Sequence, residues 1–102
     1  MTTFACDMTA IPAAERGAHR EVTRQMIARA TAIRESAEGF VFELGRDDYE
    51  TVTHFVAKER LCCPFLTFVV TARAAPPQVE LRISGPTGAK EFIRAELHIS
   101  PG

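Results

Sequence analysis

The chain has 102 residues, 46% of them hydrophobic and 25% charged, with a formal net charge of −1. That composition fits one soluble globular domain over residues 1–102, with a modest core and no room for a second. Basic and acidic residues are interspersed, and no apolar run is long enough to span a bilayer, so neither nucleic-acid binding nor membrane insertion is expected. The opening Met1-Thr2-Thr3-Phe4-Ala5-Cys6-Asp7 lacks the basic start and apolar core of a signal peptide, which points to the cytoplasm. There are 3 cysteines, two of them adjacent, an odd count that argues against a disulfide framework and for free thiols.

Residues 2–6 read as a short strand with Phe4 and Cys6 on one side. Pro12 suits the first turn of a helix. From Ala13 to Ser36 the Ala, Arg and Glu content predicts one long helix, with Val22, Met26, Ala30, Ile33 and Ala37 as its apolar stripe. His19 lies at the edge of that stripe and reads as a packed or half-exposed histidine. Gly39 is the expected left-handed cap.

Phe40 to Leu44 is aromatic and β-branched, a strand with Phe40, Phe42 and Leu44 inward. Asp47 followed by Glu50 resembles a helix cap with its reciprocal partner, and a helix follows over 48–62. Pro64 ends it, so Cys63 is already turning. Phe65–Arg73 and Val79–Ser84 alternate in hydrophobicity and form an antiparallel hairpin across the Pro76-Pro77 connection. A last helix runs from Pro86 or Ala89 to His98, with Phe92, Ile93 and Leu97 apolar. The glycines before it do not make a phosphate loop, because Lys90 precedes no Ser or Thr. The expected fold is α+β, in the order β-α-β-α-β-β-α, with helices on one sheet of about four strands.

Chemistry concentrates in Glu59-Arg60-Leu61-Cys62-Cys63-Pro64-Phe65. On a wheel of about 100° per residue, Val52, Phe55 and Val56 define the inward face of helix 48–62. Glu59 falls in the middle of that face, Cys63 falls on it if the helix reaches that far, and Cys62 lies to one side, the two thiols being its neighbours at i+3 and i+4. His54 falls opposite and is excluded. A carboxylate aimed at the core needs compensation from an arginine, backbone N–H groups, a metal or a proton.

Three readings of the cluster compete. A reactive thiol needs a helix N-terminus or a nearby cation, and these thiols sit at a helix C-terminus beside a carboxylate. A soft metal reverses that objection by supplying the positive charge, and it requires a further ligand for which Cys6 is the candidate. Glu59 is then a fourth ligand or an outer acceptor. Alternatively the cysteines are core packing. A Cys62–Cys63 disulfide is not expected, since neighbouring Cα atoms are about 3.8 Å apart, below the range for a bridge.

Three motifs carry a resemblance: E-R-x-C-C-P-F (Glu59 to Phe65), C-D-x-T-A-[IL] (Cys6 to Ile11) and L-R-[IL]-[ST]-G-P-x-G-x-K-E-F (Leu81 to Phe92). Together, over nearly the whole chain, they resemble a group of small bacterial proteins, some associated with metal and metalloid resistance. The resemblance implies that Cys6, Cys62 and Cys63 belong to one pattern with Glu59 beside them, and it implies no catalytic residues. It places soft-metal binding above packing. The expected function is therefore binding of Zn, Cu(I) or Hg through Cys6, Cys62, Cys63 and Glu59, for sequestration, sensing or delivery. The alternatives are a small interaction module with structural cysteines, or a thiol-dependent enzyme. An uncovered sheet edge would allow a homodimer.

Overall fold

The computed structural model describes residues 5–99. Three helices, α1 (Ala13–Arg29), α2 (Tyr49–Cys62) and α3 (Ala89–Glu96), accompany four strands, β1 (Ala32–Glu35), β2 (Gly39–Gly45), β3 (Thr67–Ala74) and β4 (Pro77–Ser84). Short 3-10 turns, Met8–Ala10 and Arg46–Asp48, precede α1 and α2. The strands form one antiparallel sheet in the order β1-β2-β4-β3. The α+β class, the four-stranded sheet and the helices packed on it are as expected.

Period-two alternation decides which face of the sheet is covered. Phe40, Phe42 and Leu44 stand opposite Ile83, Leu81 and Val79, and Phe68 and Val70 continue two of those rows onto β3. With Met26 of α1, Val52 and Phe55 of α2, and Ile93 of α3, these side chains make the main core. The opposite face carries Arg34, Glu43 and Glu80, which are ion-paired, together with the exposed Val69.

The long helix expected over Ala13–Ser36 is instead a helix followed by a strand. The chain leaves helical geometry at Ala30 (φ −63°, ψ 127°). Ala32–Glu35 then pairs with Phe40–Glu43 of β2. Its residues are good helix formers, but a bare edge of β2 offers backbone hydrogen bonds that override so weak a preference. Glu35 at its end bonds Lys90 Nζ (2.9 Å) and Arg94 of α3, and those two cations hold its carboxyl down to about 2. Ile33, placed by sequence on a helix stripe, is 36% exposed in the strand.

Gly39 is not a helix cap. It opens β2 opposite Ser84, and a Cβ there would meet the Ile83 carbonyl oxygen at 1.8 Å. Of the strand expected over residues 2–6, Ala5 and Cys6 are irregular, and the rest lies outside the described residues. The residue at the N-cap of α2 is Asp48 rather than Asp47, and its side chain makes no cap bond to that helix: the carboxylate accepts from Gly45 N (3.0 Å), closing the 3-10 turn before α2, and bonds Arg29 of α1. Asp48 is buried, whereas Asp47 is exposed.

Candidate functional site

The site lies where the N-terminal segment crosses the C-terminal end of α2. One backbone hydrogen bond makes that crossing, and three more shape the segment that makes it. Asp7 N donates to Cys62 O at 2.8 Å. The Asp7 carboxylate accepts from Thr9 N at 3.0 Å and closes the first 3-10 turn. Arg16 Nε, one turn into α1, donates to Met8 O (2.8 Å) and Ile11 O (3.0 Å). Ile11 then seats fully buried against Cys62 and Cys63, with Phe65, Leu66 and Phe92 packed around them. This small second core fixes where Cys6 can stand.

On α2, Val52, Phe55 and Glu59 are buried on the face the wheel gives them, and Cys62, which the wheel sets to one side, is buried as well. Cys63 is the cap residue after α2, at φ −124° and ψ 67°, and its N–H still donates to Glu59 O (2.8 Å). Pro64 behind it ends the helix, and the turn delivers both sulfurs to the same side as Glu59. His54 is exposed, apart from the cluster, as its position on the wheel implies.

All four expected residues meet. The sulfurs of Cys6, Cys62 and Cys63 and a Glu59 oxygen lie within 4.8 Å of one another. Glu59 Oε1 is 3.3 Å from Cys63 Sγ and 3.8 Å from Cys6 Sγ. Thiolate sulfur is a ligand for soft metals, and a carboxylate oxygen can add to it, so with its thiols free the group could hold a metal ion.

The expectation of three free thiols is corrected. Cys6 and Cys63 form a disulfide, with Cα atoms 4.8 Å apart across a sequence separation of 57. The odd cysteine count concealed it, because the pairing depends on the crossing of a segment remote in sequence. Cys62 remains free and buried, 3.7 Å from Cys63 Sγ, and the neighbouring pair is unbridged as expected.

The buried carboxylate finds a partner that sequence reasoning missed. His19 of α1 places Nε2 2.7 Å from Glu59 Oε2, with the two side chains only 3% and 7% exposed. Its ring stacks on Phe55 at 5.9 Å, with an 18° interplanar angle. His19 stands three residues before Val22 and seven before Met26, a spacing that sets it at the edge of the inward stripe. Its Nδ1 is the one buried side-chain polar atom without a partner among the described residues.

Burial pushes the Glu59 carboxyl up, and the His19 contact opposes that shift. The Cys62 thiol is pushed up to about 11, first by burial and then by the charge of Glu59. Without a cation, Cys62 is therefore a neutral, poorly nucleophilic thiol. Its S–H points to Glu59 O at 3.4 Å.

Comparison with protein-family models, curated proteins and solved structures finds no match to this chain. Among the described residues no helix is long and apolar enough to cross a membrane.

Proposed function

We propose that the reduced protein binds a soft metal or metalloid ion through the thiolates of Cys6, Cys62 and Cys63, with Glu59 as fourth ligand or outer acceptor. The observation that carries this reading is the convergence of three sulfurs and one carboxylate oxygen within 4.8 Å, assembled from two remote parts of the chain. Reduction of Cys6–Cys63 by two electrons frees two thiols beside the one already free. A bound cation then displaces the thiol protons and neutralises the charge that burial and Glu59 otherwise forbid at Cys62. His19 holds the Glu59 carboxylate in place from the other side, as outer partners of metal ligands do.

The three-sulfur donor set selects soft ions, Cu(I) and Hg(II), and with Glu59 it completes the four ligands of a zinc site. Sequestration, sensing or delivery fits a buried, fully occupied ligand set better than turnover. The resemblance noted above extends this reading to metal or metalloid resistance in a bacterial cytoplasm. Cys62→Ser tests it, since Cys62 takes no part in the disulfide. The reduced variant should lose tight uptake of the ion while keeping its far-UV circular dichroism. Unchanged affinity and stoichiometry in that variant would count decisively against the assignment.

A second reading is favoured by the disulfide itself. Cys6–Cys63 closes a long loop and pins the N-terminal segment, which is sufficient reason for two cysteines at these positions. On that reading the oxidised protein is the working form, a small interaction module, and the reduced protein binds no ion.

A further inference from the structure

The sheet has two edges, and they are built differently. At one edge β1 is a strand of 4 residues. It carries Arg34, ion-paired to Glu43, and Glu35, which bonds Lys90 and Arg94 of α3. A short strand with fixed charges is a poor template for another chain. At the opposite edge β3 has 8 residues, and it pairs with β4 from Thr67 to Ala74 without a bulge. Thr67-Phe68-Val69-Val70-Thr71 is β-branched or aromatic throughout and holds no charge and no proline. Among the described residues β3 has β4 as its sole neighbour in the sheet, and no backbone hydrogen bond outside the sheet involves Thr67–Ala74.

An edge of this composition presents a row of N–H and C=O groups to any strand it meets. Its side chains invite pairing as well. Val69, on the face that no helix covers, is 49% exposed. Phe68 and Val70, on the other face, are only partly buried where the main core ends.

The order of residues along β3 is symmetrical about Val69. Setting Val69 opposite its counterpart in an antiparallel copy brings Thr67 opposite Thr71 and Phe68 opposite Val70, and the two-fold axis repeats both pairs. Directly opposed residues share a face of the sheet, and Thr–Thr and aromatic–β-branched pairs are favourable there. Charge does not oppose the contact. Arg73 lies beyond the symmetrical stretch, is paired to Glu80 of its own chain, and meets no like charge across the edge. The contact is isologous and closes after two copies, leaving the charged β1 strands as the outer edges.

We infer that β3 is the contact surface for a second copy of this chain, paired antiparallel about Val69 into one continuous sheet. One strand from each copy makes an interface below the roughly 1,200 Å² of stable complexes, so the dissociation constant belongs near about 10 µM or weaker. The contact uses no cysteine and stands or falls apart from the metal-binding reading.

The test is sedimentation velocity of the oxidised, metal-free chain from about 1 µM to about 1 mM, a range that brackets such a constant. Wild type should pass from monomer to dimer and no further. Val69→Lys sets two like charges opposite each other and should weaken the dimer about tenfold or more, as should Val69→Glu. Mixing the two variants should restore a dimer tighter than either forms alone, a result that a misfolded chain cannot give. Ile33→Lys places a charge at an exposed apolar position of the β1 edge and should leave the constant unchanged. A chain that stays monomeric to the top of the range would overturn the inference. So would a dimer indifferent to Val69→Lys, an equal loss with Ile33→Lys, or a mixture of the Lys and Glu variants no tighter than either alone.

Discussion

Removing His19 while leaving Glu59 isolates the one buried ionisable pair at the site, and the structure sets the size of the effect. The pair is 2.7 Å apart with both side chains under a tenth exposed. Breaking such a pair on one side leaves an uncompensated buried group, which costs about 3–5 kcal/mol. For His19→Leu we expect the lower end, about 3 kcal/mol, because leucine still covers Phe55 and because Glu59 can take a proton in place of its partner. That is a large share of the roughly 5–15 kcal/mol that holds a domain of this kind together.

The loss should depend on pH, with a definite sign. Burial raises the Glu59 carboxyl above its ordinary value of 4.5, and His19 opposes the rise. A carboxyl raised in the folded state stabilises the fold below the unfolded value, and that contribution disappears as pH climbs through the folded value. Without His19 the folded value moves higher still. The destabilisation by His19→Leu should thus be smallest below pH 4.5 and largest at neutral pH. The assay is urea denaturation of the oxidised protein followed by circular dichroism, at about pH 4 and about pH 7. Adding Glu59→Leu should recover much of the loss, with a coupling of at least about 2 kcal/mol in the double-mutant cycle. A loss under about 1 kcal/mol at neutral pH, or a loss of equal size at both pH values, would refute the buried-pair argument.

The remaining expectations concern the disulfide and the sheet. Thiol titration of the unreduced, denatured chain should find the single thiol of Cys62, and all three after reduction. In the folded oxidised protein Cys62 should resist alkylation at neutral pH, with the rate climbing as pH approaches its value of about 11; modification at the speed of an exposed thiol would contradict its burial. Cys6→Ser opens a loop of sequence separation 57 and should cost about 4 kcal/mol on the chain-entropy estimate, seen as a lower denaturation midpoint. A bound ion that restores the cross-link should recover part of that loss in the reduced wild type. Gly39→Ala drives a Cβ against the Ile83 carbonyl at 1.8 Å and must spread β2 from β4; we expect about 3 kcal/mol or more, and a thermal midpoint equal to wild type would refute the stated packing.

Much of this architecture is legible in residues whose local preference and tertiary role agree. Phe40, Phe42 and Leu44 alternate because one face of β2 is buried, and Val52, Phe55 and Glu59 share a helix face whatever packs on it. Legibility fails where a distant partner decides. Ala32–Glu35 is helical by preference and becomes a strand only because β2 lies beside it. The Cys6–Cys63 bond depends on a crossing fixed by Asp7 N, Cys62 O and the Arg16 side chain, none of which has a local signature. His19 is an intermediate case. Its spacing from Val22 and Met26 sets it at the edge of the stripe, and the inward Glu59 calls for a partner, yet nothing in the one-dimensional pattern joins the two.

We propose that Cys6, Cys62 and Cys63 form one ion site once the disulfide is opened. Native mass spectrometry tests it on protein reduced without chelator and titrated with Zn(II), Cu(I) or Hg(II), with alkylation of the thiols before and after. One tightly held equivalent, with all three thiols protected together, is the expected result. No tight binding, with the three thiols reacting independently, would contradict the claim and leave Cys6–Cys63 as a structural link.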